Sequence, residues 1–336
     1  ALQQCTLAIN KMNQPKVISV AKLNMNSEIK KIEKQLEQSI KSNDQVLESA
    51  SYHLFASGGK RVRPAFVILS SQFGQERNEE VYRVAVALEL IHMATLVHDD
   101  VIDKSDKRRG SLTIAKKWDQ NTAILTGNFL LARGLEHISN IEDNRVHNVI
   151  SSAIVEVCMG ELYQFQDQFN GNQTIINYLR RINRKTALLI QLSTEVGAIA
   201  SGADAKTIRN LKLIGHYIGM SFQIVDDILD FTSTEKKLGK PVGSDLMNGH
   251  LTLPVLLEMR NNEEFKAIIQ QLNANSSQET FDYCINHIKN SDVIQQSQAI
   301  SDKYLDKALY LIDQLENKDS KPLFKKLIKK VGKRNV

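Results

Sequence analysis

Apolar residues recur every three or four positions along most of the chain, and no stretch alternates apolar and polar residues for the length of a strand. That period belongs to helices with one buried face. Ile29, Ile32, Leu36 and Ile40 mark a first amphipathic helix. The spacing predicts others over 65–73, from Val81 into the segment around Asp99, and over 113–118, 123–138, 145–168, 175–201, 207–230 and 252–259. Beyond about Arg260 the chain turns more polar, with helical patterns over 265–272, 279–288 and 293–315. The expectation is an all-α protein, a single large helical bundle with long central helices and a less apolar C-terminal third. Residues 1–24 lack clear periodicity and are expected to form a leader, leaving 25–336 as the folded unit.

Two of the predicted helices end alike. One runs through Val84, Leu88, Ile91 and Thr95 into Asp99-Asp100-Val101-Ile102-Asp103, and Arg108, Arg109 and Gly110 follow. The other runs through Phe222 and Gln223 into Asp226-Asp227-Ile228-Leu229-Asp230, followed by Lys236, Lys237 and Lys240. Asp99 and Asp103, four apart, share a helix face near a C-terminus, where the macrodipole is negative and disfavours anions. Two such clusters repel unless cations join them. Hard oxygen donors with room for water suit Mg²⁺, held by a few carboxylates together with substrate phosphates. A solvated acidic helix end accounts for one motif alone, but poorly for the pair.

Composition narrows the partners. The net charge of +5, from 43 basic and 38 acidic residues in 336, is spread along the chain. No basic stripe interleaves with aromatics, so nucleic acid is not an expected partner. Cys5, Cys158 and Cys284 are odd in number and form no CxxC pair, which argues for a reducing compartment and against a disulfide framework or zinc site. No apolar run approaching the roughly 18 residues of a membrane span is expected, and the predicted location is the cytoplasm.

The basic residues fit a second demand. Lys60 and Arg63 follow the pair Gly58-Gly59, Arg108 and Arg109 follow the first acidic cluster, and Lys185, beside Thr186, and Lys240 add donors. Singly, each reads as a solvated surface charge. As a set they suffice for two diphosphates, one bound through metals and one by cations directly. No nucleophile constellation, phosphate-binding glycine loop or Glu-x-x-His di-iron pattern competes. His92 and His98 read equally as satisfied core histidines, and that is the expectation for His98.

In order along the chain, Gly58-Gly59-Lys60-Arg61-Val62-Arg63-Pro64, the first acidic motif with Arg108-Arg109-Gly110, Lys185-Thr186, Phe222-Gln223 with the second acidic motif, and Gly239-Lys240 resemble the trans-isoprenyl diphosphate synthases, or polyprenyl synthetases. The likeness runs from about Met25 to the C-terminus. It implies the all-α type I isoprenoid synthase fold around a central cavity, and the condensation of isopentenyl diphosphate with an allylic diphosphate. Asp99, Asp103 and Asp226 would then ligate Mg²⁺, roughly three ions per site with substrate bound, while Asp100, Asp227 and Asp230 complete the metal site. Arg108, Lys185 and Lys240 would hold the allylic diphosphate. Lys60, Arg63, His92 and Arg109 would bind isopentenyl diphosphate, and Phe222, Thr186 and Gln223 would lie by the reacting carbons. Ala94 and Thr95 are small, so with Ile91 and Leu88 they would line a path for a long product, of the kind used for the menaquinone side chain. The likeness also implies a dimer, or pairing with a small non-catalytic subunit, and a membrane-seeking product. Two positions depart from it: Asn128 replaces a common Asp and His250 a common Lys. The alternatives are a class I terpene synthase, disfavoured by the second basic set, and a non-catalytic helical subunit, disfavoured by intact aspartates in both motifs.

Overall fold

The computed structural model describes residues 23–75, 78–235, 241–316 and 319–332. Of the expected leader, only Leu23 and Asn24 fall among them. Helices α1 (Met25–Ser39), α2 (Gln45–Ala56), α3 (Val62–Ser71) and α4 (Glu79–Ile102) come first. Asn24, Asp44 and Asn78 each accept a hydrogen bond from a backbone N–H in the first turn of α1, α2 and α4, which satisfies donors the helix itself cannot. From Val81 to Val97 nearly every apolar side chain of α4 is buried, so this is the central helix. Among the described residues α4 alone is long and apolar enough to cross a membrane, a run the sequence analysis did not anticipate; most of it is buried inside the bundle.

After α4, β1 (Lys107–Arg108) and β2 (Ser111–Leu112) form a two-stranded antiparallel hairpin where no strand was expected. Its turn residues Arg109 and Gly110 have φ of 52° and 81°, the doubly left-handed geometry that joins strands tightly. Then follow α5 (Ile114–Lys117), α6 (Gln120–Ser139), α7 (Asn144–Gln166) and α8 (Ile175–Ile182). A π turn (Asn183–Ala187) leads into α9 (Leu188–Ala200) and α10 (Ala205–Thr232). The rest is α11 (Ser244–Met247), α12 (Leu253–Asn261), α13 (Glu263–Gln271), α14 (Gln278–Lys289), α15 (Val293–Asp313) and α16 (Lys321–Gly332).

Three buried clusters make the core. One lies among α1–α4, α6, α7 and α9, a second gathers α8, the end of α10 and α11–α15, and a third joins α3, α9 and α10 to α15 and α16. Glycines set the closest approaches. A Cβ on Gly134 of α6 would lie 3.0 Å from Ile91 Cγ1 and 3.2 Å from the Ala87 carbonyl of α4, so these two helices pack almost backbone to backbone.

The helix expected over 175–201 is interrupted. The Leu188 N–H donates to the Asn183 carbonyl, five residues back, through the π turn. Two glycines press on this turn: a Cβ on Gly160 of α7 would lie 2.9 Å from Arg184 Cβ, and one on Gly219 of α10 would lie 2.4 Å from Ala187 Cα. The wide turn therefore sits where α7 and α10 come nearest, and such turns mark functional sites often enough to direct attention there.

Candidate active site

The first acidic cluster caps α4. Asp100 is 5% exposed, and Arg108 grips it, with Nε 2.8 and 2.9 Å from its two carboxylate oxygens and the second guanidinium nitrogen 2.8 Å away. Asp99 is half-buried and Asp103 exposed. Lys185, reaching from the π turn, lies 2.9 Å from Glu161 and 4.0 Å from Asp99. Burial pushes the carboxyls of Asp99, Asp100 and Asp103 above their ordinary range, opposed for Asp99 and Asp103 mainly by Lys185 and for Asp100 by Arg108. Burial pulls the Lys185 ammonium down, but Asp99, Glu161 and Asp103 outweigh it and hold it above its usual value. One cation thus serves three carboxylates.

The second cluster caps α10 and is built differently. Asp226 is exposed. Asp227 is 3% exposed and accepts from the Tyr178 hydroxyl at 2.6 Å and from Gln223 Nε2 at 2.8 Å. Burial, aided by Asp245, pushes its carboxyl up to about 8. Asp230 accepts from Ser244 Oγ at 3.1 Å and the Asp245 N–H at 3.2 Å, which fastens the end of α10 to the start of α11. The Thr186 hydroxyl donates to Gln223 Oε1 at 2.6 Å, so the π turn sends Lys185 to the end of α4 and Thr186 to the end of α10. His250, whose Nδ1 has no hydrogen-bond partner among the described residues, lies within the fields of Asp245 and Asp103; burial lowers its pKa against them. Phe222 packs half-buried against the third core cluster. Lys240, with Lys236 and Lys237, lies outside the described residues.

A separate basic group surrounds His92. Arg61, left-handed at φ 46°, is buried; it pairs with Glu89 at 3.2 Å and Glu33 at 3.4 Å, and stacks 4.9 Å over Phe55. Arg109 donates to the Gly58 carbonyl, and a Cβ on Gly59 would lie 2.8 Å from the Arg109 guanidinium, so a larger residue there would make that side chain shift. Burial, opposed by Glu89, lowers Arg63 to about 10. Burial and then Arg63, Arg109, Arg108 and Arg61 hold the His92 imidazole well below its ordinary pKa. His92 Nδ1 and Arg63 Nε lack partners among the described residues. A neutral imidazole amid guanidiniums suits an anion bound without metal. Lys60 is exposed at the edge of this group.

Asp103 and Asp226 are thus the exposed members of the two acidic motifs and Asp99 is half-buried beside Lys185, whereas Asp100, Asp227 and Asp230 are buried and held by protein donors. Among the described residues no three metal-binding side chains converge on one point. The donor set fits an ion that completes its shell with water and phosphate oxygens. Of the predicted path, Thr95 is half-buried and donates to the His92 carbonyl at 2.8 Å, while Ala94, Ile91 and Leu88 are buried. Asn128 is exposed on α6. His98 departs from the expectation of a satisfied core histidine: its ring lies over Gly127, and Nε2 has no partner among the described residues.

Sequence reasoning missed Glu161, Glu89 and Tyr178. Glu89 carried a signal, as a lone acid inside the apolar run of α4 that burial obliges to pair. Tyr178, 49 residues from Asp227, carried none.

A family model of the polyprenyl synthetases matches residues 44–288. Heptaprenyl diphosphate synthase component 2 from Bacillus subtilis is 47% identical over 310 residues, covering 92% of this chain and 89% of that one. Its namesake from Geobacillus stearothermophilus is also 47% identical and covers 93% and 97%. That name implies, for those relatives, a partner component. The crystal structure of heptaprenyl diphosphate synthase from Staphylococcus aureus matches with a TM-score of 0.93 at 70% identity, over 94% of this chain and 100% of that one. A polyprenyl synthase from Caulobacter crescentus, solved with calcium and isoprenyl diphosphate, matches at 0.86 and 27% identity, over 93% and 96%, and shows divalent metal in the same all-α fold. The family match spans both acidic helix ends and the π turn between them, and on that ground the chain belongs to the polyprenyl synthetase family and is a prenyltransferase that makes long-chain polyprenyl diphosphates.

Proposed function

We propose that the chain makes heptaprenyl diphosphate by repeated addition of isopentenyl diphosphate to an allylic diphosphate, farnesyl or similar. The observation that carries the residue roles is the presence of two anion sites of different chemistry. One has accessible carboxylates on facing helix ends; the other has guanidiniums around a neutral imidazole.

Asp99, Asp103 and Asp226 would hold Mg²⁺, roughly three ions with substrate bound, whose charge stabilises the leaving diphosphate. Lys185 would trade its contact with Glu161 for the allylic diphosphate, shared with Arg108 and, by the family resemblance, with Lys240. Lys60, Arg63, His92 and Arg109 orient isopentenyl diphosphate so that its double bond faces the carbon being ionised. Thr186 and Gln223 offer oxygen atoms to the positive charge that develops there. The departing diphosphate takes the proton lost afterwards. The growing chain descends past Thr95, Ala94 and Ile91 to Leu88, which lies about 16 Å from Asp99 along α4 at 1.5 Å per residue.

Six large apolar side chains, Ile124, Leu125 and Leu135 on α6 and Val155, Leu162 and Phe165 on α7, are exposed, and a patch of this kind supports docking of a second subunit. The name of the two relatives, component 2, favours a different component as the partner over a second copy. Free thiols at Cys158 and Cys284 suit the cytoplasm.

The test is a product assay with Mg²⁺, isopentenyl and farnesyl diphosphates, read by mass with and without the candidate small subunit. Heptaprenyl diphosphate only with the partner supports the two-component reading, and product from the chain alone supports a self-sufficient enzyme. No product in either case favours a non-catalytic role. Ala94→Phe is expected to shorten the product; an unchanged length counts against the path along α4.

A further inference from the structure

Buried hydrogen bonds run in series from α8 to the π turn. The Tyr178 hydroxyl donates to Asp227 Oδ2 at 2.6 Å, Gln223 Nε2 donates to Asp227 Oδ1 at 2.8 Å, and the Thr186 hydroxyl donates to Gln223 Oε1 at 2.6 Å. The order fixes each direction. An Asp227 Oδ1 that bears no proton can only accept from Gln223, and in that state the amide presents its NH₂ to Asp227 and its oxygen to Thr186. The Thr186 proton is then committed to Gln223, and the remaining face of that oxygen carries only lone pairs. Tyr178 is fully buried, and the Arg181 guanidinium, 5.7 Å from its ring, is itself anchored to the Leu251 carbonyl and Gln173 at 2.6 Å each. The start of the series is therefore rigid.

We propose that Tyr178 and Asp227 are positioning residues for the prenyl transfer: through Gln223 they turn the Thr186 hydroxyl so that its oxygen, not its proton, meets the positive charge on the reacting carbon. Asp227 then belongs to orientation and not to metal binding. This rests on the reading of Thr186 and Gln223 given above. A hydroxyl free to rotate would point its proton at the developing cation part of the time and stabilise it less.

The test is a double-mutant cycle on single-turnover condensation. Thr186→Val alone is expected to lower the rate. Tyr178→Phe, which removes one oxygen, is expected to lower it roughly tenfold or more, with KM for both diphosphates within about twofold and the urea midpoint little changed. In the Thr186→Val background, Tyr178→Phe is expected to cost less than about twofold more. Equal cost in both backgrounds, or none in either, overturns the inference while leaving the role of Thr186 intact. No loss from Thr186→Val overturns that role, and the inference with it. If Tyr178→Phe unfolds the protein, Asp227→Leu breaks the same series one bond before Gln223. It must then match the loss of Thr186→Val and add nothing to it; an additive loss overturns the proposal.

Discussion

At the end of α4, buried Asp100 faces the Arg108 guanidinium, and Lys185 lies among Asp99, Asp103 and Glu161. At the end of α10, buried Asp227 faces a phenol and an amide, and Asp230 a hydroxyl and a backbone N–H. The order of residues is the same, but among the described residues the buried Asp100 meets a guanidinium whereas the buried Asp227 meets neutral donors. The first is suited to exchanging cations, since Lys185 can leave when a metal or diphosphate arrives. The second is suited to holding a shape, because its bonds are directional and make up a network.

The largest expected effect touches the feature the two ends share. Asp99→Asn and Asp226→Asn should each cut kcat by about 10³-fold or more. In urea, stability should stay close to wild type for the exposed Asp226 and fall by up to about 1 kcal/mol for the half-buried Asp99 beside Lys185. A fall in kcat at only one end would break the symmetry assumed for metal binding. Next, Arg108→Gln leaves Asp100 buried without its cation. Removing one partner of a buried pair costs several kcal/mol, and with Arg108 28% exposed the loss should be about 2–4 kcal/mol in urea denaturation. Asp230→Asn, which keeps one acceptor oxygen and turns the other into an NH₂ facing a donor, should cost less, about 1–2 kcal/mol. Equal costs would show that the two ends do not differ in kind.

Gly219→Ala tests what both ends depend on. Its methyl would sit 2.4 Å from Ala187 Cα, and overpacking of this sort costs about 1–3 kcal/mol. Displacing the π turn should lower kcat through Lys185 and Thr186 together. The smallest effect belongs to the basic group. The folded His92 has a pKa below its unfolded value, so as pH falls below about 6.5 the unfolded chain takes up a proton that the native state refuses, and stability drops by up to about 1.4 kcal/mol per pH unit. His92→Gln should flatten this acid limb when urea midpoints near pH 7 and pH 5.5 are compared. His137 and His216, also lowered by burial, will keep part of the slope.

Much of this was legible in the sequence. α4 and α10 show because long apolar runs end in acids, and the all-α class shows because strand alternation is missing. The break at Asn183–Ala187 was hidden, since 175–201 holds no Pro and no Gly before Gly197; the glycines beside the turn belong to α7 and α10. α2 was missed although Asp44 caps it, and α16 although Phe324 and Ile328, four apart, are both fully buried. Which aspartates are accessible could not be read from a motif repeated at both ends. Burial and partners such as Tyr178 decide it, and they come from distant parts of the chain.

The π turn closes on a carbonyl five residues back, so α8 and α9 form one rod with a slip of phase between them. At about 100° per residue, deleting or inserting one residue within Asn183–Ala187 would swing Tyr178 around the axis relative to α9, and Tyr178 and Thr186 could no longer both face α10. A surface loop absorbs such a change in length; this segment does not. In any chimera between relatives, Tyr178 to Leu188 must be exchanged as one piece together with the helices bearing Gly160 and Gly219.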